Sequence, residues 1–154
     1  MKTSRRFFLW FGIVIVLVLA VTVALALAGG NQPASLLSET TPEGVVQHYL
    51  LAIKAGQYTR AYAYLSPQSE QVKMNPYDNW VRTLQSMHNG GSWKASIVKS
   101  EVNDSDATVQ VAIDVFRPAG PLSNPVSSNE ITFILHNIDG KWLIDSPVDL
   151  YWLY

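Results

Sequence analysis

The chain contains no cysteine. Disulfides, thiol nucleophiles and thiolate metal sites are therefore excluded, and the fold must be held by packing alone. Its three histidines, His48, His88 and His136, stand far apart, and neither H-x-x-H nor H-E-x-x-H occurs. No metal site is expected on that spacing. Asn103-Asp104-Ser105-Asp106 offers oxygen ligands but lacks the glycine and distal glutamate of a calcium loop, and reads as a turn. There is no G-x-S-x-G, no phosphate-binding loop and no dinucleotide fingerprint, so no cofactor is expected. Charge is sparse, at 15% of residues, and forms no long run. No internal repeat or low-complexity tract breaks the chain.

One absence sets the topology. Lys2, Arg5 and Arg6 are basic, and no Lys or Arg follows until Lys54. Between them, residues 7–28 read FFLWFGIVIVLVLAVTVALALA, without a charge. At about 1.5 Å per residue this run makes a helix of about 33 Å, enough to cross a hydrocarbon core of about 30 Å. Fifteen of the run's residues are Leu, Ile, Val or Phe, and Thr22 is its one polar member. The expected organisation is a cytoplasmic tail at 1–6, a transmembrane signal-anchor at 7–28, a polar linker at 29–40 and an extracytoplasmic domain at 41–154. The lipid bilayer is thus the first expected partner. Ala26-Leu27-Ala28 is also a small-residue site of the kind a signal peptidase cuts, which would release a secreted form. The apolar run exceeds the roughly 7–15 residues of a cleavable signal, which favours retention. Ser4-Arg5-Arg6-Phe7-Phe8-Leu9 is similar to the core of a twin-arginine export signal, although Trp10 replaces the usual lysine.

Beyond the anchor, eight basic residues face all twelve acidic ones, a net charge of −4. That balance excludes a nucleic-acid-binding surface and disfavours attachment to anionic lipid. About 115 residues suffice for one core and are too few for two.

Periodicity gives the order of elements. Thr41-Pro42-Glu43 opens a helix with a cap, a proline at the first position and an acid against the positive end. Val45, Val46, Tyr49, Leu50 and Ile53 form its apolar face, and Gly56 ends it. A second helix places Tyr58, Ala61, Tyr62 and Leu65 inward and stops at Ser66-Pro67. Residues 68–75 show no period and read as a loop. Pro76 opens a third helix with Trp80, Val81, Leu84 and Met87 on one face, ended by Asn89-Gly90-Gly91. From Trp93 the period becomes two, with strands at 93–102, 108–116, 130–137 and 142–144. Three prolines make 117–128 a stiffened loop, and Asp139-Gly140 signals a type I′ hairpin. Helices followed by an antiparallel meander define an α+β domain with three helices packed on one face of a curved sheet.

Thr41-Pro42-Glu43, the junction Gly56-Gln57-Tyr58…Ala61-Tyr62…Leu65-Ser66-Pro67, and strands closing on Asp139-Gly140-Lys141-Trp142 resemble the nuclear-transport-factor-two-like (NTF2-like) superfamily of cone-shaped domains. The resemblance covers residues 41–148, and is greatest to uncharacterised extracytoplasmic domains behind signals or single membrane spans. It implies a cone lined by Tyr49, Tyr62, Trp80, Val111, Ile113, Phe133 and Trp142. These side chains either bound a ligand pocket or fill it. The same cone hosts isomerases, dehydratases, epoxide hydrolases and binding subunits, so activity must be argued from the site.

An enzyme of the ketosteroid isomerase kind needs an inward carboxylate or imidazole. Asp114, Asp145 and His136 all fall opposite the inward faces. His48, at the edge of the first helix's stripe, is the weak candidate base that remains. No catalytic residue of the superfamily carries across. The expected role is a non-catalytic accessory domain with an envelope protein or a second copy as partner. The alternatives are capture of a small apolar ligand and, behind it, an isomerase- or hydrolase-type enzyme. The end of the chain, Leu150-Tyr151-Trp152-Leu153-Tyr154, either completes the core or presents an aromatic patch.

Overall fold

The structure, a computed structural model, describes residues 35–87, 92–116 and 126–151. The tail at 1–6, the apolar run at 7–28 and the linker up to residue 34 lie outside the described residues. So do residues 88–91, 117–125 and 152–154, and the side chain of Met87. Among the described residues no helix is long and apolar enough to cross a membrane. Leu36 opens a compact unit that takes in the rest of the chain. Within it the order is α1 (Pro42–Lys54), α2 (Tyr58–Tyr62), α3 (Glu70–Met74), α4 (Tyr77–Met87), β1 (Ser92–Asn103), β2 (Asp106–Phe116), β3 (Val126–Ile138) and β4 (Lys141–Ser146).

Local chemistry accounts for α1 at both ends. Thr41 Oγ1 accepts from the Gly44 amide at 3.1 Å, satisfying one of the first-turn donors. At the other end Gly56 takes φ +68°. Its amide bonds Ile53 O at 3.0 Å, and the Gln57 amide bonds Ala52 O at 2.8 Å. That pair is the Schellman arrangement, and its left-handed residue suits glycine. Val45, Val46, Tyr49, Leu50 and Ile53 are buried as the spacing predicts.

The four strands form one antiparallel sheet in the order β1-β2-β3-β4. On β2, Val109, Val111, Ile113 and Val115 are buried. They lie opposite Ser100, Ile97, Ala95 and Trp93 of β1, and Phe133, Ile131, Asn129 and Ser127 of β3. Register shifts at Ile97/Lys99 and Ile134/Leu135 bend the strands. The first also blunts the free edge of β1, where Lys94 and Lys99 are exposed. The edge of β4 is covered by the stretch after α2: Ser66 N bonds Ile144 O at 2.7 Å, and Ile144 N bonds Tyr64 O at 2.8 Å.

Three sequence expectations change. The second helix ends at Tyr62 rather than at Ser66-Pro67, and Leu65 pairs with Ile144 instead. Residues 70–74 are helical rather than loop. This additional helix, α3, is five residues long with Val72 as its buried anchor, too short to show a period. Strand β3 also begins at Val126, inside the stretch read as loop, because pairing with Phe116 extends the ladder beyond the alternating run. The Asp139-Gly140 turn is as predicted, with φ of +52° and +81°. Both values belong to a type I′ turn. Nothing lies near the position of a Gly140 Cβ, so Gly140→Val meets only backbone strain. It is expected to destabilise the domain by about 1–2 kcal/mol, or somewhat more for the β-branch. An unchanged urea midpoint would contradict the turn.

Candidate functional site

The inward face carries the domain's cluster of buried apolar side chains. Of the seven predicted lining residues, Tyr49, Trp80, Val111, Ile113, Phe133 and Trp142 are buried, and Tyr62 is half-buried at the rim. The structure brings several of the aromatic rings together. Tyr49 meets Phe133 edge-on at 6.1 Å between centroids. Trp80 sits between Tyr58 at 6.5 Å and Tyr62 at 5.4 Å, and Tyr62 also meets Tyr77 at 5.2 Å. Edge-on contacts of this kind add roughly 0.5–1.5 kcal/mol beyond area burial. Lys54 closes the far end of α1, donating from Nζ to Trp93 O at 3.0 Å with its ammonium 5.4 Å from the indole centre.

The chain beyond β4 completes this interior. Val148 and Leu150 are buried, whereas Tyr151 is exposed. The Val148 amide donates to Gln71 Oε1 at 2.9 Å, and Trp80 Nε1 donates to the Val148 carbonyl at 3.0 Å. The C-terminal segment thus packs on the core through residues 147–150. It does so outside the sheet, not as an extension of the last strand.

Two buried side-chain oxygens have no hydrogen-bond partner among the described residues, Tyr49 Oη and Ser100 Oγ. Ser100 stands beside Glu43. Burial works to raise the Glu43 carboxyl, and the Ser100 hydroxyl, its own amide and Thr41 together outweigh it and hold the group low. Ser100 exerts this influence without closing a bond of good geometry. Tyr49 is the sharper case. Its hydroxyl is fully enclosed, and burial first, then the charge of Asp149, push its pKa far above the phenolic range. It therefore stays protonated, a donor without an acceptor.

The acid–base groups of the sequence reading lie elsewhere. Asp114 accepts from Ser128 Oγ at 2.5 Å, and His136 Nδ1 meets Asp106 Oδ1 at 2.6 Å, both on the outer sheet face. His48 points to the chain ahead of α1. Its Nε2 donates to Leu37 O at 3.0 Å, and Nδ1 faces the other way. That nitrogen is 3.5 Å from Arg60 Nη2 and 3.4 Å from Glu39 Oε1. Arg60 Nη2 in turn donates to Glu39 Oε1 at 3.0 Å. The Tyr64 hydroxyl, then Arg60 and His48, hold the Glu39 carboxyl below its usual range. Tyr64 itself is raised, chiefly by burial.

Glu39, His48, Arg60 and Tyr64 therefore form a polar latch that seats the end of the linker on α1 and α2. Leu37 N to Gln47 Oε1 at 2.7 Å and Thr41 N to Ser38 O at 3.1 Å extend it. Sequence reasoning singled out His48 and missed its partners. They stand nine, twelve and sixteen residues away, with no helical period linking them.

No protein-family model matches the chain, and no curated protein matches its sequence. Solved structures match its fold. A SEC-C motif containing protein from Rhodopseudomonas palustris superposes with a TM-score of 0.56 at 15% identity, over 80% of this chain and 84% of that one. A candidate ketosteroid isomerase from Shewanella frigidimarina gives 0.53 at 15% identity, over 72% and 94%. A candidate NTF2-like transpeptidase from Campylobacter jejuni gives 0.47 at 18% identity, over 68% and 96%. The domain shares the α+β fold of the first two of these structures, helices followed by an antiparallel sheet. Identities this low carry the fold and nothing of the activity.

Proposed function

We propose that the chain is a single-pass protein of the cell membrane, with residues 7–28 as its anchor and its N-terminus in the cytoplasm. Its NTF2-like domain acts outside as a non-catalytic accessory that binds another envelope protein or a second copy of itself. One observation carries the non-catalytic part. The inward face is occupied by apolar side chains, and the ionisable side chains buried with them among the described residues are phenols. His48, the one base suggested by sequence, has both ring nitrogens engaged in the latch. An isomerase-type reaction needs a base free to reach a substrate proton, and His48 offers none toward the interior. The charge asymmetry around the apolar run supports the orientation.

A second reading, capture of a small apolar ligand, is favoured by the unpartnered Tyr49 hydroxyl. The test of the accessory role is photo-crosslinking in intact cells, with the reactive side chain placed in turn at three exposed apolar positions, Val98, Ile134 and Tyr151. A discrete adduct, either at twice the chain's mass or with one heavier membrane or envelope protein, is expected from at least one position. Uncrosslinked chain alone at all three would overturn the proposal.

A further inference from the structure

The chain ahead of α1 folds back along that helix. Ser38 O packs against Gly44 so closely that a Cβ there has no room. One turn further on, Leu37 donates its amide to Gln47 Oε1 at 2.7 Å, and its carbonyl accepts from His48 Nε2 at 3.0 Å. Residues 41 back to 37 thus run antiparallel to α1, and Leu36 continues toward Leu51. Leu51 stands four residues on from Gln47 and three from His48, on the same side of the helix. Leu36, Leu37 and Leu51 are 67%, 38% and 44% exposed, so three large apolar side chains share the outer side of α1. The latch grips Leu37 by its main chain and leaves the side chain out of its bonds. Both cations beside the strip are engaged, Arg60 with Glu39 Oε1 at 3.0 Å and Lys54 with Trp93 O at 3.0 Å.

The occupant follows from where the chain comes from. Seven residues, 29–35, separate the apolar run at 7–28 from Leu36. Fully extended, seven residues reach at most about 25 Å. We propose that the strip of Leu36, Leu37 and Leu51 docks on the bilayer that holds the anchor, which seats α1 on the lipid and turns the outer face of the sheet away from it. This docking rests on the anchored reading given above. So short a tether makes docking an intramolecular step, and a weak apolar attraction then suffices. The leucine side chains supply that attraction by burying apolar area at the boundary of headgroups and acyl chains. With both neighbouring cations engaged and a net charge of −4 beyond the anchor, the surface that fits is zwitterionic rather than anionic lipid.

Because the chain has no cysteine, a single label can be placed where it is wanted. The experiment uses the full chain in phosphatidylcholine nanodiscs, with an NBD fluorophore on one of two exposed positions. Ala55→Cys puts it one turn on from Leu51 and leaves all three leucines in place, and Thr132→Cys puts it on the outer sheet face. Brominated phosphatidylcholine is expected to quench the label at 55 several-fold more than the label at 132, and to do so equally in strong salt. Leu36→Ser combined with Leu37→Ser keeps the main-chain bonds of the latch. Added to Ala55→Cys, it should lower the docking constant read from the quenched fraction by about tenfold or more. Equal quenching at the two positions, loss of quenching in strong salt, or no effect of the double serine change would each overturn the docking. A label at 55 that is shielded from water but unquenched would mean that a second copy covers the strip, and would overturn it too. A chain that elutes apart from the nanodiscs would overturn the anchored reading and the docking together, whereas a co-eluting, unquenched chain overturns the docking alone.

Discussion

Replacing Trp80 by alanine is expected to remove about 3–5 kcal/mol of stability, a large share of what a domain of this size possesses. The indole is buried among Tyr58, Tyr62 and the segment after β4, and its Nε1 donates to the Val148 carbonyl at 3.0 Å. Truncation therefore loses the transfer energy of a large aromatic side chain, leaves a cavity and strips a buried carbonyl of a donor, three effects of the same sign. Trp80→Phe separates them. It keeps most of the packing and loses the hydrogen bond, so it should cost about 1–3 kcal/mol. Urea denaturation of the two variants checks both values. Equal losses would mean that the hydrogen bond, not the packing, dominates the site. A loss below about 1 kcal/mol for Trp80→Ala would contradict its place in the core.

Gly44→Ala is expected to destabilise the domain by about 1–3 kcal/mol, against the direction of helix propensity. Alanine is a better helix former than glycine by about 1 kcal/mol, so an exposed position in α1 would gain. Here the added Cβ would overlap the backbone carbonyl of Ser38, a rigid neighbour that cannot rotate aside. Ser38 O is also the acceptor for Thr41 N and Thr41 Oγ1, each at 3.1 Å, so moving it unseats the start of α1. Hydrogen exchange at Leu37 and Thr41 should rise sharply in the variant. A chain beginning at Pro42 has no Ser38 to strike, and there the same substitution should be neutral or stabilising. Destabilisation in both chains would remove the latch from the explanation.

The latch also has a pH signature. The Glu39 carboxyl is held below the ordinary glutamate range, mainly by the Tyr64 hydroxyl. A depressed carboxyl contributes stability that is full above the unfolded value and is lost as pH falls through the folded one. Exchange protection at Leu37 should therefore persist at neutral pH and fall away on acidification below the usual carboxylate range. Because Glu39 and Arg60 are both well exposed, the change is expected to be small.

Most of the scaffold was legible in the residues themselves. The start of α1 is written in Thr41-Pro42 and its end in Gly56, while the inward face of β2 is written in four alternating β-branched residues. Asp139-Gly140 specifies its turn by backbone sterics alone. Each of these signals acts within about one helical turn or one hairpin, so the chain carries it whole. The misses have a common cause. Helix α3 is too short to show a period, and the first residues of β3 are strand because β2 already stands beside them.

Among the candidate site residues, six of the seven that the resemblance implied are buried and Tyr62 is half-buried, while the partners of His48 were not foreseen. A helical His at the edge of an apolar stripe looks like a free base until Leu37 and Glu39 return to it across the turn at Thr41.

By itself the sequence determined the class of fold, the order of its elements, the faces that turn inward, and the charge and hydropathy pattern on which the membrane anchor is proposed. All of these follow from composition and short-range periodicity. Only the tertiary structure decided that residues 36–41 are seated on the domain, that the C-terminal segment fills the core beneath Trp80, and that the Tyr49 hydroxyl is left without a partner. Those outcomes depend on contacts between residues as far apart as Trp80 and Val148, set by where the chain returns after the sheet has formed. No local pattern encodes that meeting point, because it is chosen by the packing of the whole.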